Sequence, residues 1–146
     1  MGRCLSDRGR SLPVKVVLDT NVFVSGVFFG GTPGRVLEAW RDGKAEVVLS
    51  REIVEEYVRV GEELADRFPA VDLRPAWELL AVSATLGPAP PLPKPVSRDT
   101  DDDKFLACAL AAGADYVVSG DRDLLDVSSY KGVVVLSPRG FVDRLQ

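Results

Sequence analysis

The sequence predicts an α/β fold in three layers, a parallel sheet with helices packed on both faces. Short β-branched runs (Val14–Leu18, Glu46–Leu49, Asp115–Val118, Val133–Leu136) alternate with longer helical stripes. Such alternation calls for helical crossovers, and crossovers make the strands parallel. At 146 residues the chain is one domain, long enough for a proper core. Acids stand at or just beyond the ends of two of the runs, the side on which open parallel sheets bind ligands.

Taken in order, Val14–Leu18 reads as a buried strand that stops on Asp19. Val22–Gly31 reads as an apolar turn region ending in Gly30-Gly31. Thr32 is expected to cap a helix starting at Pro33, with Val36, Leu37 and Trp40 as its stripe and Gly43 as its stop. Glu46–Leu49 is the second strand. Ser50 caps a helix whose inward residues are Ile53, Tyr57, Val60 and Leu64, and Phe68-Pro69 ends it. A further helix covers roughly Asp72 to Ala84, with Leu73, Trp77 and Leu80 on one face. Pro88–Pro95 holds five prolines and reads as an extended surface connection. Asp102–Ala112 is a helix closed by Gly113, Asp115–Val118 the third strand and Asp121–Asp126 a short helix. Val133–Leu136 is the fourth strand, and Pro138–Leu145 the closing helix. The domain spans residues 14–146. Residues 1–13 carry Arg3, Arg8 and Arg10 but no apolar stretch, so they read as a disordered tail and not as a secretory signal.

Composition removes several chemistries. There is no histidine, which excludes histidine-based triads and zinc–histidine sites. Cys4 and Cys108 are too few for a disulfide framework or a structural zinc, and point to a reducing cytoplasm. No apolar run approaches the roughly 18 residues of a membrane span. The net charge of −4 argues against nucleic-acid binding if taken alone. The acids, however, are clustered: Asp99, Asp101, Asp102 and Asp103 in one group, Asp121 and Asp123 in another. A cation bound among them changes the field that a polyanion meets.

Position and helical geometry sort these acids. Asp19 directly follows a buried strand and Asp121 nearly so. A carboxylate there is costly unless neutralised, and a divalent metal is the natural partner. At about 100° per residue, Asp102 falls near the centre of the face made by Phe105, Leu106, Ala109 and Leu110, while Asp101 and Asp103 fall to either side. Glu56 sits about 110° from the centre of its helix's apolar stripe, against about 150° for Glu52 and Glu55, so it borders the buried face. Asp123 is a further ligand candidate or a cap. Asn21 is placed to orient a carboxylate, or is simply a turn residue.

Val16 to Ser25 (Val-Val-Leu-Asp-Thr-Asn-Val-Phe-Val-Ser) resembles the opening motif of PIN (PilT N-terminus-like) domains. Ser50–Glu56, Arg98–Ala109 and Ser119–Leu125 resemble the second, third and fourth motifs, in family order. The resemblance is closest to small stand-alone prokaryotic members, some of them toxins of toxin–antitoxin pairs. It implies a parallel sheet between helices and a metal-dependent ribonuclease acting through water activated by one or two Mg²⁺ or Mn²⁺ ions. It implies products with a 5′-phosphate and a 3′-hydroxyl. Carried over, the metal-binding and catalytic acids are Asp19, Glu56, Asp102 and Asp121, with Asp123 as a fifth metal ligand and Ser119 and Asn21 in support. RNA is then the substrate, with an antitoxin protein and a homodimer or higher homo-oligomer as partners.

Two other readings compete. A haloacid-dehalogenase-like phosphatase also places an aspartate after its first strand, as a covalent nucleophile. It wants a second aspartate two residues on, where this chain has Asn21. The other reading is a non-catalytic PIN fold that holds RNA or protein; the presence of all four acids weighs against it.

Overall fold

Val16, Val17 and Leu18 have no exposed surface, which makes β1 (Val14–Leu18) an interior strand. The computed structural model describes residues 13–145. The segment 1–12, including Cys4 and most of the expected tail, and Gln146 lie outside the described residues. After β1 come α1 (Thr20–Phe28), α2 (Gly31–Arg41), β2 (Ala45–Leu49), α3 (Arg51–Arg67), α4 (Arg74–Ser83) and β3 (Thr85–Leu86). A 3₁₀ turn (Thr100–Asp102) leads into α5 (Asp103–Ala112), then β4 (Tyr116–Val118), α6 (Arg122–Val127), β5 (Ser129–Tyr130), β6 (Val133–Leu136) and α7 (Pro138–Arg144).

The sheet order is β3-β2-β1-β4-β6-β5, parallel throughout except for the antiparallel β5–β6 pair. Helices cover both faces, as the alternation predicts. From β1 the chain winds outward to β2 and β3, then crosses back to β4 on the other side of β1. The order therefore reverses between β1 and β4, and at such a switch point the flanking loops diverge and leave a crevice beyond the strand ends. α5 packs on β1, β2 and β4, which explains why Phe105 to Ala109 are all buried. Leu110, expected on the inward face, is one-third exposed at the end of that helix.

Several elements differ from expectation. The apolar stretch after Asp19 is a helix, not a turn. Val22, Phe23 and Val24 are all buried, so tertiary burial overrides the weak helix preference of β-branched residues and hides the helical period. The next helix starts at Gly31, not Pro33, with Gly30 as its cap in place of Thr32. Gly30 and Gly31 both have positive φ (72° and 62°), so the tight turn between α1 and α2 depends on glycine. The two edge strands, β3 and β5, are only two residues long, too short to leave a sequence signal. Trp40 is core, with its indole N–H donating to the Ser83 carbonyl at 3.2 Å.

Candidate metal centre

Asp19 is the first residue beyond β1, and its backbone N–H still reaches the Val118 carbonyl at 2.9 Å. Leu18 pairs with Val118, so the residues that follow, Asp19 and Ser119, emerge side by side at the switch point. Ser119 Oγ donates to Asp19 Oδ2 at 2.7 Å and accepts the Asp121 N–H at 2.9 Å. A single fully buried hydroxyl thus fixes one acid's side chain and the other's backbone. Asp121 caps α6, its Oδ1 accepting the Asp123 N–H at 3.0 Å. Asn21 serves Asp19 through its backbone amide, while its side chain is exposed.

Asp102 enters from the 3₁₀ turn. It is buried, whereas Asp101 is exposed and Asp103 turns aside to accept the N–H groups of Val96 and Ser97 at 3.0 and 2.8 Å. Helical geometry had separated these three acids in the same way. Asp99, Asp102 and Asp123 offer carboxylate oxygens that all lie within 4.8 Å of one another. Asp99 belongs to the acidic group at 99–103 but is not among the ligands that the family resemblance implies. It caps the turn, accepting the Asp101 N–H at 3.1 Å, and its i, i+3 spacing from Asp102 also puts it on the same side. The Arg98 guanidinium lies 3.5 Å from Asp123 and 3.3 Å from Asp126.

Glu56 arrives on α3. Ser50 Oγ accepts the Ile53 N–H at 3.3 Å and sets the start of that helix. Tyr57, fully buried, stacks on Phe23 with ring centroids 4.4 Å apart and donates its hydroxyl to the Leu18 carbonyl. This fastens α3 to the end of β1 and brings Glu56 against Thr20, whose hydroxyl donates to it. Lys104 Nζ lies 2.8 Å from Glu56 Oε1, a contact that nothing in the sequence signalled. Glu52 and Glu55 are exposed.

Burial pushes the Asp19 carboxyl above its ordinary range, against the hydrogen bonds from Ser119 and Asn21, and Asp121 and Glu56 push it further. Burial likewise raises Asp102, and with Asp121, Asp19 and Asp99 beside it the carboxyl is pushed up to about 7. Burial would raise Glu56 too, but Lys104, Thr20 and Arg59 outweigh it and hold the carboxyl below its ordinary value.

The residues present fit a hard divalent cation. Every donor is a carboxylate oxygen, the set that suits Mg²⁺ or Mn²⁺. Asp102 Oδ2 is buried with no hydrogen-bond partner, a costly state that an ion relieves.

An open α/β sheet with carboxylates gathered at its switch point defines a candidate metal centre, and the chain belongs to the PIN domain family, whose model matches residues 15–123. PIN domains are generally metal-dependent nucleases. The chain is similar to the uncharacterized protein MJ1680 of Methanocaldococcus jannaschii, 27% identical over 128 residues that cover 83% of this chain and 79% of that one. Its fold is similar to the crystal structure of PAE2754 from Pyrobaculum aerophilum, with a TM-score of 0.55 and 17% identity over 99% of this chain and 97% of that one. At that identity the likeness speaks for the fold alone. With the family shown, the phosphatase reading loses its ground.

Proposed function

We propose that the protein is a metal-dependent ribonuclease that hydrolyses RNA phosphodiester bonds, with Asp19, Asp102 and Asp121 at the centre, Asp99 and Asp123 beside them and Glu56 at the Asp19 side. The observation that carries this reading is the buried, unpartnered oxygen of Asp102 among neighbouring acids. Mg²⁺ or Mn²⁺, when bound, neutralises the acids and lowers the pKa of water for attack on phosphorus. In the hydrolysis itself the water oxygen bonds to phosphorus as the P–O3′ bond breaks, which leaves a 5′-phosphate and a 3′-hydroxyl.

The chain's own residues set the geometry. Ser119 holds the Asp19 carboxylate in one orientation, and the β1–β4 register keeps Asp19 and Ser119 side by side. Tyr57 locks the helix that carries Glu56. No side chain is needed as nucleophile. Wild-type protein is expected to cleave RNA in Mn²⁺ or Mg²⁺ and to lose cleavage in EDTA, while Asp19→Asn folds and does not cut. Full activity in Asp19→Asn overturns the assignment.

Toxin activity, a partner antitoxin and a homodimer rest on the family resemblance, and a cytoplasmic location rests on the low cysteine count. Light scattering on the purified chain checks the dimer, and growth arrest on expression checks the toxin role.

A further inference from the structure

Glu56 is already neutralised, which sets it apart from the aspartates. Its Oε1 faces Lys104 Nζ at 2.8 Å and Arg59 at 4.0 Å, and its Oε2 accepts from Thr20. Lys104 is no solvated surface lysine. Its side chain is 13% exposed, its ammonium also donates to the Asp101 carbonyl at 2.8 Å, and it lies 5.0 Å from the centre of the Phe105 ring. Among the described residues, no lysine or arginine lies in ion-pair range of Asp19, Asp102 or Asp121, and the partner of Asp123 is the exposed Arg98. Among the described residues, Asp19, Asp102 and Asp121 therefore have no cation beside them, whereas Glu56 has one built in.

We propose that the Lys104 ammonium holds the place that a second divalent ion would take at Glu56, so that the centre binds one ion. Lys104 is then a positioning residue: it holds Glu56 and supplies the second positive charge from the protein itself. The inference rests on the metal-dependent nuclease reading above. An ion ligated by Glu56 would stand within a few ångströms of the ammonium, and like charges at that range in a partly buried site repel strongly. Glu56 would also have to release partners on both oxygens. Lys104 and Asp102 share one continuous helical segment, and the Glu56 carboxylate and the Asp101 carbonyl hold the ammonium in place on it.

The test is the number of ions bound, read apart from activity. The full chain is titrated with Mn²⁺ by calorimetry, and bound Mn²⁺ is counted by electron paramagnetic resonance, for wild type, Lys104→Met and Lys104→Arg. Wild type is expected to bind one ion per chain. Lys104→Met is expected to take up a second, at least about tenfold tighter than any second binding event in wild type. Lys104→Arg is expected to return to one. Two ions in wild type overturn the inference and leave the nuclease reading standing. No ion in wild type overturns both. A folded Lys104→Met, verified by thermal melting, that still binds one ion overturns the role of Lys104. If Lys104→Met does not fold, the wild-type count decides.

Discussion

The aspartates and Glu56 meet at one end of the sheet, yet their charges are handled in opposite ways. Asp19 and Asp102 are buried and pushed towards the neutral form, with hydroxyl, amide or acidic neighbours and no cation. Glu56 is less buried and is held in its charged form by Lys104, Thr20 and Arg59. The aspartate end is arranged for an ion from solution. The Glu56 end is complete as folded.

The sharpest way to break this contrast is by activity. Asp102→Asn should lower Mn²⁺-dependent RNA cleavage by more than roughly 100-fold, beyond what the loss of an orienting partner costs. Glu56→Gln should fall within about 10- to 100-fold, because it removes a positioning contact. Initial-rate assays on one RNA rank the two, and equal losses erase the distinction.

Stability should respond with opposite signs. A carboxyl raised on folding stabilises the protein fully below its unfolded value and loses that contribution as pH rises through its folded value. Asp102, pushed up to about 7, is therefore expected to contribute less stability to the metal-free protein at pH 8 than at pH 5. Asp102→Asn should flatten this slope and raise the metal-free Tm at pH 8 by roughly 2–6 °C. Glu56, held below its ordinary value, contributes stability above that value and loses it as pH falls through the lowered one. Glu56→Gln should therefore lower the Tm at pH 8, with Lys104 left beside a neutral amide. Thermal melts in EDTA across this range decide the signs.

The smallest effect concerns how Glu56 is delivered. Ser50→Ala removes the cap of α3 and should cost about 1 kcal/mol by urea denaturation, without abolishing cleavage. Abolished cleavage would mean that Glu56 depends on the helix start more than on Tyr57 and Lys104.

Much of the site was legible because it obeys local periodicities. The rotation of 100° per residue separates Asp102 from Asp101 and Asp103, and Glu56 from Glu55. Strand-end position marks Asp19 and Asp121. What escaped depends on contacts between segments far apart in the chain. Lys104 reaches Glu56 only because α5 lies against α3, and β3 exists only because Thr85 and Leu86 pair with Val48 and Leu49. α1 was missed for a different reason: a helix buried on most sides has no polar face to reveal its period. Asp99 was readable in principle from its spacing to Asp102.

The two-residue strands at the margins of the sheet bear on the solution behaviour of the protein. A long free edge is a template for another chain to pair with, and it invites strand exchange and aggregation. Here each margin offers only two residues of ladder, Thr85–Leu86 on one side and Ser129–Tyr130 on the other. The valine-rich β1 and β4 have a partner strand on each side, whereas β3 covers only Val48 and Leu49 of β2 and β5 only Val133 and Val134 of β6. The hazard is greatest in the interval before β3 and β5 have docked, when the outer edges of β2 and β6 are open along their whole length.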